Sequence, residues 1–185
     1  PITKLPKASY DLWEEKFGIH TFTSASVYGA LTSAAKFANI LGKEKSEQIY
    51  TDAATEIRQA ILKYLYDEAS GIFVKMINVS DDGMISYDKT LDMSSIYGIF
   101  EFGVLDIDDS RLARAILQVE NRLVCRTGVS GVARYEGDHY FRSVEGVPGN
   151  PWVITTLWLA QYYIARAKKE SDLYNAHKWF AWITK

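Results

Sequence analysis

Residues 10–15 read Tyr10-Asp11-Leu12-Trp13-Glu14-Glu15, which places three carboxylates within five positions, interrupted by a leucine and a tryptophan. Two readings fit that spacing. One is an acidic stretch favouring a nearby helix N-terminus, where the backbone dipole is positive. The other is a general acid beside a substrate-binding carboxylate. A glutamate held against an indole is desolvated, and a neighbouring carboxylate disfavours its ionisation. Both effects raise the pKa, as a proton donor at neutral pH requires.

A second group lies far along the chain: Ala133-Arg134-Tyr135-Glu136-Gly137-Asp138-His139-Tyr140, followed by Gly149-Asn150-Pro151-Trp152. Arg, Asp, Tyr and Trp together suit a pyranose. Charged groups hydrogen-bond vicinal hydroxyls, and flat rings cover the C–H face of the sugar. The same residues also suit a salt-bridged loop that packs its aromatics on a core. His20 and His139 read as hydrogen-bonding loop residues, and Cys125 as a buried, inert thiol. Asp81-Asp82-Gly83 reads as a hairpin turn rather than a calcium loop.

The elements that must carry these groups follow from periodicity. Proline occurs at positions 1, 6, 148 and 151 only, so uninterrupted helices are permitted between. The first predicted helix, Ser24 to Leu41, is rich in small residues and ends at Gly42, a C′ glycine. The second, Lys45 to Tyr66, repeats apolar residues at i, i+3, i+4 and i+7. Gly71 to Tyr87 predicts a β-hairpin turning at Asp82-Gly83. A nearly all-apolar helix follows over Asp92–Phe102, then an amphipathic one over Asp109–Leu123. The fifth predicted helix starts at Asn150-Pro151, with Asn as N-cap and Pro at N1. The sixth begins near Ser171.

Helices one, three and five carry almost no charge, while two, four and six have a charged face. Helices apolar all round are buried, and amphipathic ones lie on a surface. The alternation predicts two concentric layers of inner–outer hairpins, an α/α toroid; the competing arrangement is a helical bundle with uneven burial. The loops entering the inner helices, 10–23, 80–91 and 127–149, are long or polar and share one face. Long connections commonly carry function, so the chemistry belongs on that face.

Composition narrows the function classes. The 185 residues are 48% apolar and 24% charged, the profile of one soluble globular domain. A net charge of −2 gives no electrostatic footprint for nucleic acid or an anionic membrane. The uncharged apolar stretch Pro151 to Ala165 is shorter than the ~20 residues of a bilayer span. With no signal-peptide pattern visible, a cytoplasmic location is expected. The single cysteine excludes a disulfide framework and Cys-based metal sites, and no cofactor or metal is expected.

The two motifs, with Phe22-Thr23 after the first, resemble the glucoamylase-type family of inverting α-glycosidases. They match in order, and the intervening helices are similar to those of the bacterial and archaeal members. The resemblance implies an all-α fold, part of an (α/α)6 toroid with about six helices in three inner–outer hairpins and a small β-hairpin insertion. It implies that Glu14 is the general acid and that Glu15 binds substrate in or beside the first subsite. It further implies that Arg134 binds the sugar hydroxyls, with Asp138 and Trp152 completing that wall. Asp11 and Trp13 join the substrate-binding set from the first motif.

The departures from the family pattern generate expectations of their own. An earlier Arg-Asp pair and a later catalytic glutamate, both features of the family, have no counterpart here. Glu136 and Glu145 are spare carboxylates outside any base-like motif. Residues 1–185 are therefore expected to be a partial catalytic domain, inactive alone, needing the rest of the barrel, a complementary chain or self-association. The expected activity is exo-acting release of glucose from an α-glucan or α-glucoside. Trehalase and glucodextranase activities are close alternatives. From a different class, a catalytically incomplete sugar-binding or scaffold protein also fits.

Overall fold

In a computed structural model, residues 2–184 are described. Among them are six α-helices: α1 (Thr21–Ile40), α2 (Glu44–Tyr64), α3 (Met93–Glu101), α4 (Ser110–Arg122), α5 (Val153–Arg166) and α6 (Tyr174–Ile183). Inner helix α3 lies between α1 and α5, while α2, α4 and α6 pack behind α1, α3 and α5 respectively. This is the expected layering: three inner–outer hairpins, part of an (α/α)6 toroid.

Local chemistry accounts for three of the helix ends. Asp92 and Asp109 cap α3 and α4 through their carboxylates, which accept from the amides of Ser94 and Arg111. Gly42 takes φ 64° just past α1, the left-handed conformation expected of a C′ glycine. The apolar stripe Leu112, Ala115, Ile116 and Val119 buries α4 on one side only. In α3, by contrast, Met93, Ser94, Ser95, Ile96, Gly98 and Ile99 are all buried, as a helix with neighbours on every side requires.

Burial of the inner layer is uneven. Whereas α3 is enclosed, α1 exposes Phe37 and Ile40, and α5 exposes Val153, Ile154 and Ile164. These are the two flanking helices, each with α3 on one side. The core joins α3 and the inward faces of α4 and α5 to Ile61, Leu65, Phe73 and Ile77.

The β-structure is richer than expected. Strands β1 (Ser9–Tyr10) and β2 (Phe17–His20) form a hairpin around residues 11–16, and β2 runs directly into α1. That advances the start of α1 by three residues from the expected Ser24. Tyr66–Asp67 (β3) leaves the second predicted helix and pairs with Ile72–Phe73 (β4). The predicted hairpin over 71–87 therefore narrows to β5 (Met76–Val79) and β6 (Ile85–Asp88), turning through Gly83. Strand β5 also pairs with β2, giving a four-stranded sheet in the order β1-β2-β5-β6.

Pro151-Trp152 is not the first turn of α5. It forms strand β8, antiparallel to β7 (Val132–Ala133), and α5 starts at Val153. Asn150 caps no helix; its side-chain amide donates to the carbonyls of Tyr140 and Phe141 at 3.0 and 2.8 Å. Pairing with β7 wins over the local N1 preference of proline.

Candidate active site

The loop entering α1 is a hairpin whose tip is the first motif. Asp11 closes it. Its amide donates to the Lys16 carbonyl at 2.9 Å, and its Oδ1 accepts the amides of Glu15 and Lys16 at 2.7 and 3.1 Å. Glu14 takes φ 58°, a left-handed conformation uncommon for a non-glycine residue, with its amide on the Asp11 carbonyl at 3.0 Å. This turn sends the consecutive glutamates different ways. Both are exposed, but Glu15 turns toward the second motif and is held there, whereas the Glu14 carboxylate has no hydrogen bond among the described residues.

The expectation that Glu14 lies desolvated against the Trp13 indole is corrected. The indole Nε1 donates to Asp92 at 3.1 Å, its ring packs 6.0 Å from Trp158, and the Arg134 guanidinium lies 5.2 Å from its centroid. Trp13 thus anchors the hairpin tip over the N-terminus of α3. Asp11 also differs from an open substrate ligand: it is 7% exposed, and its Oδ2 lies 3.0 Å from Lys75 Nζ.

The second motif meets the first at Arg134. Its guanidinium forks onto Asp138 through Nε and Nη2, both at 2.8 Å, and Nη2 also reaches Glu15 Oε1 at 2.9 Å. Trp13, Tyr135, Tyr140 and Trp152 place ring centroids 4.8–5.3 Å from the same guanidinium. Arg134 and Asp138 are 4% and 0% exposed, so the pair is desolvated. Hydrogen bonding to Asp138 holds the Arg134 pKa above its ordinary value despite burial. Burial alone would raise the Asp138 carboxyl, but the Arg134 fork and the Tyr140 amide outweigh it and hold it low.

Backbone pairing explains how distant pieces of the second motif come together. The β7–β8 ladder sets Val132 opposite Trp152, and Arg134, two residues on and on the same face as Val132, lies over the Trp152 ring. The Met93 amide donates to the Arg134 carbonyl and the Glu136 amide to that of Leu91, so this segment is laced across the start of α3. At Gly149 a Cβ would stand only 2.7 Å from Asp138 Cβ, which is why the loop return requires glycine. Cys125 donates to the Gly149 carbonyl at 3.2 Å, and burial pushes its thiol up to about 11, consistent with the inert thiol expected.

Lys75 and Asp92, to which sequence reasoning gave no part in the site, complete the arrangement together with Tyr135 of the second motif. Lys75, 2% exposed, lies 3.0 Å from both Asp11 and Asp92, with its ammonium 3.9 Å from the Tyr135 ring centroid. Asp92 was legible only as the start of the third predicted helix, not as its cap or as the partner of Trp13. Tyr135 donates its hydroxyl to Glu15 Oε2, and burial together with that bond raises its pKa. The available signal for Lys75 was its place between Ile72-Phe73-Val74 and Met76-Ile77, where a charge survives only if paired.

The spare carboxylates are accounted for. Glu136 pairs with Arg122, and the exposed Glu145 lies 3.8 Å from Arg142. A cavity of about 690 Å³ opens along Tyr140, Phe141, Asn150 and Trp152, next to the Arg134 cluster. A cleft of the same volume between α1 and α2 contains none of the site residues.

Similar proteins place the chain. It is 31% identical to an uncharacterized glycosyl hydrolase of Methanocaldococcus jannaschii, over 95% of this chain and 28% of that protein. It is 27% identical to a glucoamylase of Blastobotrys adeninivorans, over 89% of this chain and 28% of the other. A bacterial glucoamylase solved in complex with acarbose superposes with a TM-score of 0.73 at 22% identity, over 97% of this chain and 30% of that one. The chain thus spans less than a third of the length of these relatives. The sequence profile of glycosyl hydrolases family 15 matches residues 3–178, and the chain belongs to that family.

Proposed function

We propose that this chain carries the acid-bearing part of an exo-acting, inverting α-glucosidase site that releases glucose from the non-reducing ends of α-glucans. Glu14 is the general acid in this reading. Glu15 and Trp152 face the sugar; the buried Arg134–Asp138 pair holds Glu15 in place, Trp13 anchors the hairpin tip, and Asp11 holds the turn that separates the two glutamates. The observation that carries it is the ion pair between Glu15 and Arg134, which joins the two motifs into one polar, aromatic-lined cluster next in sequence to the exposed Glu14. The chain's similarity to glucoamylases supports the choice of an α-glucan.

In the reaction, the Glu14 proton passes to the glycosidic oxygen as the C1–O bond breaks. A water attacks C1 from the opposite face and loses its proton to a carboxylate base. Room for that water requires about 6.5–9.5 Å between the acid and base carboxyls. No base is assigned among the described residues. The Arg134–Asp138 fork fixes the Glu15 carboxylate, which accepts hydrogen bonds from sugar hydroxyls, and the Trp and Tyr rings offer apolar faces to its C–H groups.

The test is stereochemical. The full-length protein should release β-glucose first from maltose, seen in the anomeric proton signals during early turnover. Initial α-glucose would exclude single displacement and with it this reading.

A further inference from the structure

Lys75 is a cation buried at the meeting point of both motifs, outside the set that faces the sugar. Its backbone is fixed on both sides: the amide donates to the Asp88 carbonyl at 2.9 Å, and the carbonyl accepts the Thr21 amide at 3.1 Å. The ammonium touches three groups. Asp11 holds the Glu15 and Lys16 amides; Asp92 holds the Trp13 indole and caps α3; Tyr135 donates its hydroxyl to Glu15. Each of these fixes part of the hairpin tip that carries Glu14. His20 and Asp138 lie within its electrostatic reach. A compact ammonium can sit 3.0 Å from two carboxylates and against a ring at once, whereas a planar guanidinium is shaped for a bidentate grip on one.

We propose that Lys75 is a positioning residue: by bridging Asp11 and Asp92 beneath Tyr135 it fixes the Trp13–Glu15 tip and hence the placement of the Glu14 proton relative to the Arg134 wall. The proposal rests on Glu14 being the acid. Lys75 is buried and acts through its neighbours, not on substrate.

The experiment compares Lys75→Met with the parent in the full-length protein, on maltose and on α-glucosyl fluoride, with rates normalised to folded protein. Fluoride departs without a proton, so a displaced acid lowers the maltose rate selectively. General acid catalysis contributes about 10²–10⁴-fold, and partial displacement should lower the maltose-to-fluoride kcat ratio about 10-fold. A purely structural role would leave that ratio unchanged. Asp11→Asn keeps an acceptor for the Glu15 and Lys16 amides while removing the charge facing Lys75. It should lower the ratio in the same direction, and it carries the test if Lys75→Met does not fold. Ratios within about 2-fold of the parent overturn the proposal.

A second readout needs no turnover. With ¹⁵N-tryptophan labelling, the Trp13 indole resonance should shift in Lys75→Met, or in Asp11→Asn if the first variant fails to fold. The Trp182 resonance, whose indole bonds the Val129 carbonyl elsewhere, should stay. An unmoved Trp13 signal overturns the proposal whatever the activity. A parent protein inactive on both substrates would instead count against the glucosidase reading.

Discussion

Arg134 and Glu15 are 119 positions apart and meet at 2.9 Å, with the Tyr135 hydroxyl on the other oxygen of the same carboxylate. One glutamate is thereby committed to the second motif, and its neighbour Glu14, turned by a left-handed backbone, is left free at the tip. Two adjacent carboxylates in one motif acquire different environments, which is what different roles in one reaction require.

The Arg134–Asp138 pair makes stability depend on acid. The Asp138 carboxyl is held low by the Arg134 fork and the Tyr140 amide against burial; Asp11 is held low by the Glu15 and Lys16 amides and Lys75 against the same effect. A carboxyl lowered in the folded state stabilises above its unfolded value of about 3.9, and that contribution disappears as pH falls through the folded value. Urea midpoints should therefore change little from pH 7 to 5 and drop below about pH 4. Asp138→Asn, which removes one partner of a desolvated pair, should cost about 3–5 kcal/mol at pH 7 and show a shallower acid loss. An acid slope equal to the parent's would mean that this pair does not carry the effect.

Glu14→Gln in the full-length protein should abolish most hydrolysis of maltose, about 10²–10⁴-fold, and spare α-glucosyl fluoride by comparison. Steady-state rates on the two substrates decide the matter. Equal loss on both would remove Glu14 from the role of acid.

Residues 1–185 expressed alone should self-associate or aggregate and release no glucose from maltose. Phe37 and Ile40 on α1 are 63% and 77% exposed, and Val153 and Ile164 on α5 are 53% and 55% exposed. Contiguous exposed apolar surface beyond a few hundred Å² favours association, at about 25 cal/mol per Å² buried. Light scattering and a glucose assay provide the measurement; a stable, active monomer would contradict both halves of the expectation.

What the sequence determined by itself was what depends on neighbours within a few residues. Apolar repeats one helical turn apart gave six helices. The contrast between all-apolar and amphipathic helices gave their two layers, and Asp92, Asp109 and Gly42 marked ends that the structure keeps. The Trp-Glu-Glu and Arg-Tyr motifs were legible because their residue types are unusual together. What only the tertiary structure decided was every relationship that closes over a long loop. Pro151 prefers the first turn of a helix locally, but pairing with Ala133 places it in a strand. The strands at Ser9 and Phe17, two and four residues long, are too short for an alternating pattern to show, and the second is flanked by β5. Lys75 read only as a charge interrupting an apolar run. Its role comes from Asp11 and Asp92, which lie 64 and 17 positions away in the sequence and converge on its ammonium only when β2, β5 and the start of α3 pack together.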